Sequence, residues 1–232
     1  MPDEPPPSAE AVARAQPLSI PAGQWRAVLV AGDVNSPAFD NGIEALRDRF
    51  AAMGVRSISS YSALRNRPGT QLSTARTIEA SVARMGGEAC LVYMTSHGEE
   101  GGLFLKADGR LLSPAALDQA LATGCGDRPT VLVVSACHSG TFINTQTRRP
   151  NRIIFAAAAR DRTSFGCGAN DDFTYYDQCF LQQLDGAATW RDLAEATRGC
   201  VETLERRLGV RRESRPQVFV GAAVANLRLP GR

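Results

Sequence analysis

Apolar residues gather in short runs along this chain, and the runs alternate with stretches of helical period. Trp25–Ala31 (WRAVLVA), 89–96, Thr130–Ser135 and 152–158 are almost continuously apolar, and small or turn-forming residues follow them. Runs of about four to eight such residues, rich in β-branched types, fit strands buried on both faces, as a parallel sheet requires. A weaker alternation over 55–61 and the segment 216–221 (PQVFVG) add two more strands. Between them the period changes. Ile43, Leu46, Phe50 and Met53 recur at helical spacing over 41–53 before Gly54, and further helices are predicted over 73–85, from Ser113-Pro114 to 122, near 173–184 and over 189–208. Leu103-Phe104-Leu105 faces Leu111-Leu112 across Asp108-Gly109, which signals a hairpin. Polar stretches at 139–151 and 161–172 read as loops, the first of them exposed. Strands alternating with helices give an α/β class in three layers, because parallel strands need crossovers that cover both faces of the sheet. The expected organisation is a flexible lead-in over 1–23, rich in Pro, Ala and Glu, and one domain over 24–232.

Composition narrows the picture without redirecting it. With 44% hydrophobic and 22% charged residues the chain has the make-up of an ordinary globular domain rather than a disordered one. The 26 basic and 24 acidic residues leave a net charge of +2, too small for a nucleic-acid binder, and arginine doublets such as Arg148-Arg149 read as solvated loops or faces. No run reaches the roughly 18 apolar residues of a membrane span. The lead-in has no apolar signal core, so a cytoplasmic location is expected, or a periplasmic or secreted one if an export signal has been removed. Six cysteines without a CxxC pair and two histidines give no metal site. Cys90, inside a strand, reads as a small buried hydrophobe, and disulfides such as Cys125 with Cys167 stay open.

Two of the apolar runs deliver a reactive side chain. The run at 89–96 leads directly into His97-Gly98, and Thr130–Ser135 leads into Ala136-Cys137. If these strands are neighbours, an imidazole and a thiol meet at their carboxyl ends, the edge where open α/β sheets bind ligands. A thiol attacks well only as thiolate and needs a partner, which a histidine supplies as general base and then as general acid to a leaving amine. Small residues flank both groups, so the N–H groups of Gly98 and Cys137 can serve a developing oxyanion. Structural roles for a lone strand cysteine and a turn histidine weigh about evenly against catalysis on the pattern alone. Alternation turns His138 away from Cys137 and assigns it to the cleft wall at most.

Ser96-His97-Gly98 and Ser135-Ala136-Cys137-His138-Ser139-Gly140, each after an apolar strand, resemble the paired signatures of the caspase-like cysteine peptidases, and within them the legumain family, in particular its compact bacterial members. The resemblance runs over 25–221 and includes Val30-Ala31-Gly32-Asp33 and the loop near Asp172. It implies a caspase- or hemoglobinase-like fold with a six-stranded, mostly parallel sheet, and endopeptidase cleavage by a Cys-His dyad through a thioester acyl-enzyme. Carried over, Cys137 is the nucleophile, His97 the proton-transfer partner, and Gly98 with Cys137 the oxyanion hole. No metal or organic cofactor is implied, and the implied partners are protein or peptide substrates. This chain departs from the legumain pattern where specificity is set: Ala38, Asp40 and Ser135 stand in place of an Asn, an Arg and an acid, and the pocket Asp aligns with Asp172. Asp40 and Asp172 together suit a guanidinium or ammonium, so cleavage after Arg or Lys is expected, with Asn as the alternative. Either Asp can equally cap a turn or helix. A basic preference would make Arg148-Arg149 a self-cleavage point. Transpeptidation by an amine attacking the thioester is a second reading, and a catalytically silent binding module a third, against which the presence of both Cys137 and His97 weighs.

Overall fold

A computed structural model describes residues 17–232. In chain order its elements are β1 (Trp25–Ala31), α1 (Pro37–Ala52), β2 (Ser57–Ser62), β3 (Gln71–Leu72), α2 (Ala75–Val82), β4 (Ala89–Thr95), β5 (Gly98–Glu99), β6 (Gly102–Leu105), β7 (Arg110–Leu112), α3 (Pro114–Gly124), β8 (Thr130–Ser135), β9 (Arg152–Ala156), α4 (Tyr175–Gln183), α5 (Trp190–Arg207) and β10 (Gln217–Val220). Seven strands form one sheet in the order β10-β9-β8-β4-β1-β2-β3, parallel except for β9 with β10. The sheet therefore has one strand more than expected: β3 is a two-residue addition beside β2, too short to leave a period in the sequence. The predicted hairpin is β6–β7, which gains β5 to make a small antiparallel sheet.

Alternation along the central strands explains the three layers. Trp25, Ala27, Leu29, Leu91, Tyr93, Val131 and Val133 face one apolar cluster, completed by α1, α4 and α5 through Phe39, Phe50, Phe180 and Trp190. Val28, Val30, Val92, Met94, Leu132 and Val134 face the other, with Ile78 and Val82 of α2 and Leu117 and Leu121 of α3. Both faces are dry, which is why the strands read as continuous apolar runs. Helix starts are fixed by caps rather than by apolar spacing. The Ser36 hydroxyl accepts from Ala38 N–H at 3.2 Å with Pro37 in the first turn, so α1 begins earlier than its apolar period suggests.

Several expectations are corrected. Cys90 is not a lone buried thiol: it faces α3 and is disulfide-bonded to Cys125 at that helix's C-cap, while Cys179 and Cys200 join α4 to α5. Ser139–Phe142 is a buried 3-10 turn rather than the start of an exposed loop, because Gly140 N–H donates to Ala158 O and ties it beneath the chain after β9. Residues 1–16 of the expected lead-in lie outside the described residues, but its last part joins the domain: Leu18 bridges Leu227, and Leu18 and Ile20 pack on the core. Among the described residues no helix is long and apolar enough to cross a membrane.

The chain leaves β1 toward β2 on one side and then crosses to lay β4 and β8 on the other. At such a switch the crossovers diverge and open a crevice at the carboxyl ends of the strands.

Candidate active site

The β4–β8 ladder pairs Tyr93 with Val133 and Thr95 with Ser135, and Ser96 N–H continues it by donating to Ser135 O at 3.2 Å. His97 and Cys137 each lie two positions beyond the last paired residues of these strands. The ladder thus brings the two groups to adjacent strand ends, which in any sheet lie about 4.8 Å apart. Both are half-buried and line one narrow cleft together with Ser135, Phe39, Cys167 and Thr174. Phe39, from the first turn of α1, sets its ring edge-on to His97 at 5.2 Å and 81°.

Gly98 locks the pair together. A Cβ at this position would lie 2.2 Å from the carbonyl oxygen of Cys137 and 2.9 Å from the Ala136 methyl, so only glycine lets β5 press on the peptide that carries the thiol. Phe104 N–H donates to His97 O at 2.9 Å. In an antiparallel ladder hydrogen-bonded pairs alternate with open ones, so the next pair, Gly98 with Leu103, is open and the Gly98 N–H points away from β6. On the other side the chain after β9 folds over the sulfur. Ser164 N–H donates to Cys137 Sγ at 3.3 Å, and Sγ lies 3.6 Å from Ser164 O. His138 turns out of the cleft: its backbone is left-handed (φ 56°), and its Nδ1 sits 2.9 Å from Arg160 O.

The acidic pocket expected from the sequence does not assemble. Asp40 is buried in α1, 3.6 Å from Arg67 Nε, and burial holds its carboxyl above the ordinary range against the pull of Ser62 and Arg67. Asp172 is exposed, its carbonyl held by Asn41 Nδ2 at 3.0 Å, and it lines a separate groove of about 770 Å³ between α1 and α4 that contains neither Cys137 nor His97. Ser135 does lie at the cleft, but as a buried hydroxyl 3.2 Å from that of Thr174.

Behind Ser135 and Thr174 stands the carboxylate that the sequence reading overlooked. Asp177 is fully buried and accepts from Tyr93 Oη and Thr95 Oγ1, each at 2.6 Å, while Ser135 and Thr174 add their hydroxyls. Burial raises its pKa, and the four hydroxyls oppose that shift. Among the described residues no ion pair reaches it. Thr95 and Ser135 are also the residues two before His97 and Cys137, so this one carboxylate braces both strand ends. A faint signal existed in the chain: Thr174 three residues before Asp177 has the spacing of a helix cap, and Thr174 Oγ1 does accept from Asp177 N–H at 3.0 Å.

The model of the Peptidase C13 family matches residues 75–206, which span both His97 and Cys137. Among solved structures, caspase-1 from Spodoptera frugiperda matches with a TM-score of 0.60 at 12% identity, over 85% of this chain and 86% of that one, a likeness of fold. No curated protein matches the chain.

Proposed function

The chain belongs to the Peptidase C13 family and is a cysteine-type peptidase acting on proteins or peptides, and from that premise we propose that Cys137 is its nucleophile and His97 its proton-transfer partner. The observation that carries this reading is that β4 and β8 pair as far as Thr95 and Ser135, and that His97 and Cys137, two positions beyond, line one cleft. Cys137 Sγ attacks the scissile carbonyl, and the oxyanion that forms is met by the N–H groups of Gly98 and Cys137. Each such donor contributes about 3 kcal/mol to catalysis in enzymes where it has been removed. His97 protonates the leaving amine, the thioester remains on Cys137, and water activated by the imidazole releases the acid. An incoming amine at the same step would give ligation instead. Ser164 N–H, aimed at the sulfur, is a donor suited to a thiolate.

Cleavage after Arg or Lys remains the reading for specificity, now supported by a different residue. Asp40 and Asp172 do not face the cleft together, but the carboxyl of Asp177 stands without an ion-pair partner among the described residues behind the hydroxyls of Ser135 and Thr174 that line it. A fluorogenic peptide panel decides this point, and cleavage after Asn alone would reject it. The two disulfides support a periplasmic or secreted location, since such bonds are rare in reducing compartments. The dyad is tested by labelling with a cysteine-reactive peptide electrophile. Labelling is expected in the wild type and lost in both Cys137→Ala and His97→Ala; full labelling of His97→Ala would remove the histidine from the mechanism.

A further inference from the structure

Of the six cysteines, four are paired in disulfides and two are free, Cys137 and Cys167. These two are half-buried and line the same cleft. We propose that they form an oxidation site, at which a hydroperoxide converts the two thiols to a reversible disulfide that blocks the nucleophile. The blocking, though not the bond itself, rests on Cys137 being the nucleophile of the proposed reaction.

The backbone that holds Cys137 Sγ also carries its partner. Ser164 touches the sulfur through both its N–H and its carbonyl, and Cys167 follows three residues later, within about 10 Å of chain even if fully extended. The chain is not extended there. Gly166 has φ 82°, a left-handed turn, and the segment is pinned on either side of Cys167: Tyr175 N–H donates to Phe165 O at 3.0 Å, and Ser36 Oγ donates to Gly168 O at 2.9 Å. These anchors keep Cys167 at the cleft wall. Burial, then the neighbouring Cys137 and Asp171, hold the Cys167 thiol above its usual range. It therefore stays a thiol while Cys137, with the Ser164 N–H beside it, meets the oxidant first.

The chemistry closes on the groups present and the named oxidant. The Cys137 thiolate attacks the terminal oxygen of ROOH, the O–O bond breaks, and a proton gives ROH and Cys137–SOH. The Cys167 sulfur then attacks the sulfenic sulfur, the S–O bond breaks, and its proton leaves with the hydroxyl as water. Two thiols are oxidised by two electrons and one hydroperoxide is reduced to alcohol and water. Exchange with a thiol reductant reverses the bond. Without a resolving thiol, sulfenic acid goes on to sulfinic acid, which does not return. Cys167 would thus protect the nucleophile as well as silence it.

The test uses the full chain with its two disulfides intact, treated with hydrogen peroxide and followed by intact mass, peptide mapping and peptidase assay. The wild type is expected to lose two hydrogens, to yield a linked peptide pair carrying Cys137 and Cys167, and to lose activity that dithiothreitol restores. Cys167→Ser is expected to gain oxygen atoms on Cys137 and to lose activity that dithiothreitol does not restore. Oxygen gain on Cys137 at the same rate in both proteins, with no linked pair, overturns the proposal. A linked pair in a chain that shows no peptidase activity before oxidation supports the site and sinks the catalytic reading instead.

Discussion

At the amino end of β9 the buried Arg152 pairs with the buried Asp118 of α3, and Arg149 adds a second guanidinium at 3.1 Å; at the carboxyl ends of β4 and β8 the equally buried Asp177 meets only hydroxyls. The same side chain is settled in two ways at opposite edges of one sheet. An ion pair cancels the charge and fixes the geometry, so that edge has little left to offer a ligand. Hydroxyls oppose the effect of burial without supplying a counter-charge, and they can rotate to donate elsewhere. The edge with the uncancelled carboxylate is the one that carries Cys137 and His97. A buried charge without a counter-charge is costly to the fold, which marks this end as kept for chemistry rather than for stability.

Breaking the ion pair should give the largest effect on the fold. Asp118→Ala leaves Arg152 buried without its carboxylate and is expected to lower stability by about 3–5 kcal/mol in urea unfolding. Adding Arg152→Met to that variant should recover most of the loss, because the isolated charge rather than the missing attraction is the problem. A loss of under about 1 kcal/mol would mean that water reaches this edge and that the two edges do not differ in this way.

At the other edge the first target is geometry. Gly98→Ala puts a methyl 2.2 Å from the Cys137 carbonyl. We expect turnover to fall about 100-fold, with a stability loss of about 1–3 kcal/mol. Unchanged kcat in that variant would show that the Gly98 approach to Cys137 is slack.

Asp177→Asn separates the two edges through pH. Because burial raises the folded-state pKa of Asp177, the folded chain holds its proton more firmly than the unfolded one. The stability this contributes is fully present below the unfolded value of about 3.9 and is lost as pH rises through the folded value. Wild type should therefore lose stability relative to Asp177→Asn as pH is raised from about 4. Parallel stability profiles for the two proteins would place the uncancelled charge elsewhere. The smallest effect belongs to Asp172→Asn, on the exposed rim of the separate groove. Its stability should stay within about 0.5 kcal/mol of wild type, and its preference on a peptide panel should not move.

How much of this was legible follows from what a sequence records. A strand buried on both faces must be apolar throughout, so β1, β4, β8 and β9 stood out, and His97 and Cys137 stood out as the first polar chemistry after two of them. Pairing across space leaves no such mark. Cys90 looks like any small apolar residue until Cys125 is seen above it, and β3 is too short to show a period. Charge was visible but its setting was not: Asp40, Asp118, Asp172 and Asp177 are the same letter, and only the fold distinguishes a carboxylate held by Arg67, one held by Arg152, one in solvent and one ringed by hydroxyls.

The order of the elements along the chain also orders events during synthesis. His97 emerges first, its partner forty positions later, and the helix that braces both strand ends later still, since Thr174 and Asp177 belong to the last third of the chain. A chain halted before that point holds a thiol and an imidazole on strands whose ends lack the carboxylate that ties Thr95 and Ser135. The thiol and the imidazole therefore stand on unbraced strand ends until the helix Tyr175–Gln183 has been made and packed.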